Sequence, residues 1–193
     1  MSTTAEEICA EIEALFQSKA RSEYFGEAVT KLQHAEQAAH LAHQAGADRE
    51  TILAALLHDV GHLLDGGHED PEVGVIDHDK LAAAWLRQRG FGERLIALVE
   101  GHVDAKRYLV ATNAAYDSRL SDASRRTLAL QGGPMSSSEA VRFGDDPLLK
   151  EKLRLRSWGR RREGSRRHSP GVLVLSGHAS RLPFPVSNEM ETH

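Results

Sequence analysis

The chain contains one cysteine and few aromatic residues, and these shortages exclude several classes of protein. Cys9 is the only thiol in 193 residues, so there is no internal disulfide and no cysteine-rich zinc site. No apolar run approaches the roughly 18–20 residues that a membrane-spanning helix requires. Residues 1–16 carry acids in place of the basic and apolar regions of a signal peptide. We therefore expect a cytoplasmic protein that does not bind a membrane.

The charge balance does not favour a nucleic-acid-binding protein. Lys and Arg number 24 against 28 Asp and Glu, which gives a formal charge of −4. A hydrophobic content of 40% in a chain of this length is sufficient for one domain with a real core. Histidine is the unusual component, with 11 residues, and the functional question is which of them converge in space.

Apolar residues recur at helical spacing along most of the chain, and no set of strands with alternating hydrophobicity is present. The predicted fold is therefore all-α, a helical bundle. Asp48 is the predicted N-cap of the third helix, and Gly61 loosens that helix near its end. Residues 64–77 are predicted to form a loop. The predicted helices cover 5–17, 27–45, 49–63, 78–89, 93–102, 121–130 and 147–158.

The segment LLHDVGH at 57–63 places two histidines and an aspartate in an otherwise apolar stretch. Burying the carboxylate of Asp59 is costly unless it is paired or bound to a metal. Divalent transition metals bind neutral imidazoles and carboxylates that rigid elements hold in place. His34, His78 and His102 lie on three other predicted helices, as a metal site in the core of a bundle requires.

Each of these histidines alone has an ordinary structural explanation. His34 within an apolar helix is more often a hydrogen-bonded core residue than a ligand. His78 alone fits a solvent-facing position at a helix start, and His102 alone fits a helix C-terminus, where the helix dipole favours it. The histidines assigned to the surface are His40, His43 and His68.

The ordered set of motifs resembles the HD-domain mixed-valent diiron oxygenases, which cleave the carbon–phosphorus bond of 1-hydroxyphosphonates. The resemblance runs from about Tyr24 to Trp158 and includes EYFGEAVTKLQHAEQAA, AALLHDVGH, GHVDAKRYL and LSDASRRTLALQGGPMS. A His-Asp pair alone is weak evidence for this family, whereas the full set of motifs in this order, with KRYL and QGGPM, is specific to it. The resemblance implies an HD-domain helical bundle over 1–158 with a dinuclear metal site in its core.

The resemblance also implies two iron ions and their ligands. In that family an Fe(II)/Fe(III) pair binds the substrate, and O2 is the co-substrate. His34, His58 and Asp59 would hold the first iron, and Asp59 would bridge to a second iron held by His78 and His102. The implied substrate is a 2-ammonio- or 2-trimethylammonio-1-hydroxyethylphosphonate, and the products are glycine or glycine betaine plus phosphate.

A phosphonate-binding group follows from the same resemblance. Lys106 would supply a cation, and Ser124, Thr127 and Gln131 would supply neutral hydrogen-bonding groups. Ser124 and Thr127 are three residues apart and so share one helical face. Without the resemblance, solvent-facing polar residues would be the preferred explanation.

Three further residues are implied to contact the substrate. His62 lies one turn beyond His58 and would act with Asp59 in catalysis. In the family a tyrosine and a glutamate close over the site; here they would be Tyr24 and Glu27, with the glutamate facing the ammonium end. Without the resemblance, Tyr24 would be an aromatic anchor before a helix.

The sequence departs from the family at residue 159. The family has an iron-ligating aspartate directly after the tryptophan of the last helix, whereas Trp158 is followed by Gly159, which cannot ligate. From there, residues 159–193 hold six arginines, three glutamates and half of the six prolines, an atypical tail that we expect to be poorly ordered. Because the missing aspartate and the change in composition fall at the same residue, we expect a shifted reading frame. With one possible choice of codons for residues 158–164, removing a single G gives Trp-Asp-Glu-Glu-Gly-Lys, which restores the aspartate after the tryptophan. We expect lower stability and reduced or absent turnover from this chain.

Two other functions remain open at this point. An HD phosphohydrolase would use the same ligands with a metal-bound water and a phosphate ester. A non-catalytic protein that binds a phosphonate or a single metal is the third alternative, and Gly159 supports it. His/Asp sets also bind manganese or zinc, so iron rests on the resemblance. The substrate's amine and the oligomeric state are not determined by the sequence.

Overall fold

The computed structural model describes residues 4–18, 30–71 and 73–159, which form a helical bundle around one long helix. A 3-10 helix covers Val60–Leu63, and two short strands, β1 (Glu69–Asp70) and β2 (Gly74–Val75), pair antiparallel. The prediction of an all-α fold is confirmed, with this small ladder as its only described sheet. The helices are α1 (Ala5–Ser18), α2 (Lys31–Gln44), α3 (Arg49–Leu57), α4 (His78–Gln88), α5 (Glu93–Thr112), α6 (Ala114–Asp117), α7 (Asp122–Leu130), α8 (Ser137–Gly144) and α9 (Leu149–Trp158).

Helix α5 is the central element of the bundle. It packs against α3, α4, α6, α8 and α9, while α2 covers α3 and α9. Its residues Leu95, Ile96, Leu98 and Val99 are almost completely buried, and each such burial stabilises the fold by about 1.5–3 kcal/mol. None of the described helices is both long enough and apolar enough to cross a bilayer.

The helix starts follow local sequence signals. Asp48 caps α3 by accepting a hydrogen bond from the Thr51 amide at 2.8 Å, as predicted. Arg94 at the start of α5 then forms ion pairs with Asp48, Glu50 and Glu151. This network joins the ends of α3, α5 and α9 and so fixes the relative positions of the elements that carry the histidines.

Two predicted helix ends are wrong, and both corrections affect the site. The predicted helix 93–102 continues to Thr112, so His102 lies in the middle of α5 and not at its end. Gly101 lies inside this helix, where its missing side chain leaves room for Lys152: a Cβ there would lie 2.6 Å from Lys152 Cδ and Cε. The predicted helix 49–63 ends at Leu57, with the 3-10 turn after it.

Gly61 explains why the chain leaves the α-helical path after Leu57. A Cβ at Gly61 would lie 1.9 Å from the carbonyl oxygen of His78, so only glycine permits the 3-10 helix to lie against the start of α4. The sequence prediction also missed α6 and α8, and it missed the strands within the loop 64–77. Helix α6 has only four residues, too few to show an apolar period. Helix α8 has eight residues, and none of its side chains is buried.

We predict that Gly61→Ala destabilises the fold by about 2–3 kcal/mol, the usual cost of forcing an atom into a filled space. Chemical denaturation monitored by circular dichroism measures this cost. Gly144→Ala is the matched control because its Cβ would lie 3.7 Å from Tyr108 Oη, an ordinary contact. A Gly61→Ala chain as stable as the Gly144→Ala chain would contradict the close approach of the two elements.

Candidate metal centre and anion pocket

Five side chains predicted as metal ligands converge in the interior of the bundle. His34 comes from α2, His58 from the end of α3, His78 from the start of α4 and His102 from the middle of α5. All four imidazoles are buried, and the Asp59 side chain is only 11% exposed. Asp59 lies between the two pairs of imidazoles, directly after α3.

The two oxygens of Asp59 face different histidine pairs. Oδ2 lies 3.3 Å from Nε2 of both His34 and His58. Oδ1 lies 3.5 Å from His78 Nε2 and 3.4 Å from His102 Nε2. Within each pair the Nε2 atoms are 3.2 Å and 3.0 Å apart, respectively. The cluster therefore consists of two triads of ligand atoms that share one carboxylate.

Backbone carbonyls determine which ring nitrogen faces the cluster. The Nδ1 atoms of His58, His78 and His102 lie 2.8, 3.0 and 2.6 Å from the carbonyl oxygens three residues earlier. Since a carbonyl only accepts, each Nδ1 carries the hydrogen, and each Nε2 presents a lone pair to the cluster. For His78 and His102, two lone pairs then face each other at 3.0 Å, which is repulsive unless a cation lies between them.

The spacing fits metal ions. Imidazole nitrogens and carboxylate oxygens bind a transition metal at about 2.1 Å, so two ligands at right angles lie about 3.0 Å apart. The separations within the two triads run from 3.0 to 3.5 Å. Each triad can thus form one face of a coordination shell, and the His and carboxylate set suits iron, manganese or zinc.

Burial lowers the pKa of two of these imidazoles and keeps them neutral. Desolvation lowers the pKa of His78 to about 4 and also lowers the pKa of His102. Burial opposes ionisation of Asp59, but the charge of His58 and the polar contacts with His102, His34 and His58 outweigh it and hold the Asp59 pKa well below its usual value. His58 is the exception, because Asp59 outweighs burial and raises its pKa. Neutral imidazoles around an ionised carboxylate are the forms that bind metals.

His62, predicted to contact the substrate, lies beside the second triad. Its ring stacks on that of His78 at a centroid distance of 4.0 Å and an interplanar angle of 22°. Desolvation, together with the neighbouring His78, lowers the pKa of His62 well below its ordinary value. It is therefore a neutral imidazole at pH 7 at the edge of a cavity that the cluster shares with polar side chains.

That cavity, of ≈ 50 Å³, joins the predicted metal ligands to the predicted phosphonate-binding residues. Asp59, His62, His78 and His102 line one side of it, and the side chains of Lys106, Ser124, Thr127 and Gln131 lie on the other. The structure thus brings together all the site residues predicted from the sequence between 30 and 159.

Hydrogen bonds hold the polar side in place. Lys106 Nζ donates to Thr127 Oγ1 at 2.9 Å and also to Gln131 Oε1. The Gln131 amide nitrogen donates to the Ile76 carbonyl at 3.2 Å, which fixes the orientation of the amide. Thr127 in turn donates to the Ser124 carbonyl at 3.0 Å. The ammonium is therefore held at the cavity by neutral acceptors.

Sequence reasoning missed Arg156, which also lines this cavity. Its position carried a signal, because Arg156 is three residues before Gly159 and so lies on the same face of α9. The surrounding sequence KLRLRSW has the charge pattern of a solvated helix, which concealed it. Arg156 places a second positive charge near Lys106.

Gly159, the last described residue, lies against the first triad. A Cβ built on it would be 2.9 Å from His58 Nε2. Position 159 therefore faces the His34–His58 half of the cluster, and an aspartate there would require the His58 ring to move by a few tenths of an ångström. Among the described residues, this half of the cluster has three ligand side chains: His34, His58 and Asp59.

Tyr24 and Glu27, predicted to close over the site, lie outside the described residues. So does the atypical tail from residue 160 onward, for which poor order and a shifted reading frame were predicted. Those expectations stay predictions.

Comparison with known proteins places these features in a family. Residues 32–139 match the HD domain. Hydroxymethylphosphonate dioxygenase of Gimesia maris is 41% identical over 138 residues, covering 70% of this chain and 68% of that protein. The [1-hydroxy-2-(trimethylamino)ethyl]phosphonate dioxygenase (glycine-betaine-forming) of Leisingera caerulea is 38% identical over 152 residues, 75% and 74% of the two chains.

An Acanthamoeba polyphaga mimivirus protein is 39% identical over 145 residues, which are 74% of this chain and 66% of the viral protein. The matched region contains all the described ligand candidates from His34 to His102. The chain therefore belongs to the HD-domain family, in the branch that contains these two HD-type dioxygenases.

Proposed function

We propose that this chain is built as an iron- and O2-dependent oxygenase that cleaves the C–P bond of a small 1-hydroxyphosphonate. The observation that carries the proposal is a single cavity lined by Asp59, His78 and His102, which form one of the two triads, and by the cations Lys106 and Arg156. The names of the relatives from Gimesia maris and Leisingera caerulea support a phosphonate as substrate.

In this proposal the shared carboxylate would serve two iron ions. His34, His58 and Asp59 would hold the first, and His78, His102 and Asp59 would hold the second. A mixed-valent Fe(II)/Fe(III) pair, when bound, supplies the redox chemistry with O2. The protein's contribution is to keep four lone pairs and two carboxylate oxygens fixed in a buried site, so that little reorganisation is needed.

The opposite side of the cavity binds the phosphonate. A phosphonate carries up to two negative charges, which Lys106 and Arg156 match, while Thr127 and Ser124 supply hydroxyl groups. Anchoring the phosphonate here directs the adjacent carbon and its hydroxyl toward the triads. The neutral imidazole of His62 lies at that position and can accept a proton from the substrate hydroxyl.

The names of two relatives, both of them dioxygenases of small hydroxyphosphonates, favour a short substrate. We propose a 2-ammonio- or 2-trimethylammonio-1-hydroxyethylphosphonate, giving glycine or glycine betaine plus phosphate. Tyr24 and Glu27 would close over the cationic end of such a substrate.

Gly159 favours a second candidate function, a non-catalytic protein that binds the same ligand. With glycine at 159 the first metal has three described protein ligands instead of the four implied by the family resemblance. Loss of an anionic ligand weakens metal binding and reduces the stabilisation of Fe(III).

The deciding experiment measures phosphate release after anaerobic reconstitution with iron, with and without O2. The substrates are hydroxymethylphosphonate and both hydroxyethylphosphonates. We expect slow, O2-dependent release, and a rate higher by roughly tenfold or more in Gly159→Asp with a repaired terminus, as restoring an iron ligand would produce. His40→Ala, an exposed histidine, is the control for non-specific effects.

The remaining outcomes separate the alternatives. Release of phosphate from a phosphate ester such as p-nitrophenyl phosphate without O2, and none from the hydroxyphosphonates, would favour a phosphohydrolase. Tight binding of a hydroxyphosphonate with no phosphate release, from the unaltered chain or from the Gly159→Asp chain, would favour the binding protein. Equal rates of phosphate release from these two chains would contradict the role assigned to position 159.

Lys106 gives a prediction of pH dependence. Desolvation, followed by the charge of Arg156, lowers the Lys106 pKa from its ordinary 10.5 to about 7. The unfolded chain therefore binds more protons than the folded chain between these values, and stability rises with pH over that range. Below pH 7 Lys106 is protonated in both the folded and the unfolded chain, so folding carries the full free-energy cost of burying the charged amine.

We predict that Lys106→Met stabilises the metal-free protein by about 1–3 kcal/mol at pH 6, after allowance for the hydrogen bonds lost. The gain in the free energy of unfolding should shrink as the pH rises toward 10. The variant should also lose its affinity for the phosphonate. Denaturation curves across this pH range measure the effect, with the exposed Lys150→Met as control. A Lys106→Met difference that is constant from pH 6 to pH 10 would contradict the lowered pKa.

A further inference from the structure

We propose that Tyr116 is a positioning residue that holds Arg156 at the anion side of the cavity. The proposal rests on the proposed function insofar as the cavity takes a phosphonate or phosphate. The structural basis is one contact: Arg156 Nε donates a hydrogen bond to the Tyr116 hydroxyl at 2.9 Å. Tyr116 itself does not line the cavity, so its effect on a ligand must pass through Arg156.

The ring of Tyr116 is fixed by apolar packing. It is 6% exposed and lies in a small cluster with Leu120 and with Leu128 of α7, against which Leu109 and Val110 of α5 also pack. A ring enclosed by two helices has little rotational freedom. The hydroxyl is therefore presented at a defined point.

The backbone of α6 is fixed as well. Asn113 caps this short helix by accepting a hydrogen bond from the Tyr116 amide at 3.0 Å. Arg125 of α7 pairs with the Asp117 carboxylate at 3.0 Å and donates to its carbonyl. A four-residue helix would not be stable alone, so these contacts explain how it holds a buried tyrosine in one place.

Arg156 needs such a partner because it lies near another cation. Its charge is one of the causes that lower the pKa of Lys106, which means that the two side chains repel each other. Within the described residues, no carboxylate forms an ion pair with Arg156. Without an acceptor on its far side, the guanidinium would move away from Lys106 and from the cavity.

The hydroxyl of Tyr116 supplies this acceptor, because it accepts the hydrogen bond from Arg156 Nε. The two terminal nitrogens of the guanidinium are then left for a ligand, and these are the donors that contact a tetrahedral anion in a fork geometry. Because Leu128 of α7 packs on the same tyrosine, Tyr116 also couples Arg156 on α9 to Ser124 and Thr127 on α7. One side chain thereby sets the spacing between the cation and the hydroxyl groups of the anion pocket.

The test is a double-mutant cycle with Tyr116→Phe and Arg156→Gln in the full-length, iron-loaded protein. Isothermal titration under anaerobic conditions measures the dissociation constants of inorganic phosphate and of hydroxymethylphosphonate. We expect Tyr116→Phe to weaken both by roughly tenfold, as loss of a hydrogen bond to a charged group does. The midpoint of thermal unfolding should stay close to that of the unaltered chain, because the ring remains. Tyr108→Phe on α5 is the matched control and should leave both affinities unchanged.

The cycle separates positioning from general structural damage. We expect Tyr116→Phe to have no further effect in the Arg156→Gln background. An equal effect in both backgrounds, or no effect in either, would overturn the proposal. Phosphate binding that obeys the cycle in a chain that never releases phosphate from hydroxyphosphonates would support the role of Tyr116 while refuting the proposed function. An unaltered chain that binds neither anion would overturn both.

Discussion

The carboxylate of Asp59 is the interaction on which the rest of this structure depends. It is an ionised group in the interior of a helical bundle, and such a group is tolerated only when its charge is compensated. Four imidazoles from four different segments surround it, each pair facing one oxygen. The fold must therefore bring α2, α3, α4 and α5 together at one point, and that requirement accounts for local features that are otherwise unexpected. Helix α3 ends just before Asp59, and Gly61 lets the following turn lie against His78.

Helix α5 connects this cluster to the anion pocket. His102 and Lys106 are four residues apart, so they lie on the same face of the helix, one turn from each other. Both line the cavity. One rigid element thus holds a histidine of the cluster and the buried cation of the cavity. In the function that we propose, this helix would set the distance between a bound phosphonate and the metal ions.

Much of the site could be predicted from the sequence, since its chemistry is concentrated in recognisable patterns. A buried aspartate is costly unless it is paired or bound to a metal, and the order of motifs pointed to the residues from His34 to Gln131 that the structure brings together. The long-range consequences were less accessible. The end of α3 depends on a close approach to His78 that no local propensity encodes, and Gly101 lies inside α5 beside Lys152. Arg156 and Tyr116 were missed because the contact between them spans 40 residues of sequence.

The most direct test of the account is an iron-edge anomalous diffraction map of crystals grown from anaerobically reconstituted protein. The account predicts two anomalous peaks per chain, each bounded by two histidine Nε2 atoms and one oxygen of Asp59. A single peak, or peaks away from Asp59, would contradict the claim that this carboxylate bridges a pair of metal ions.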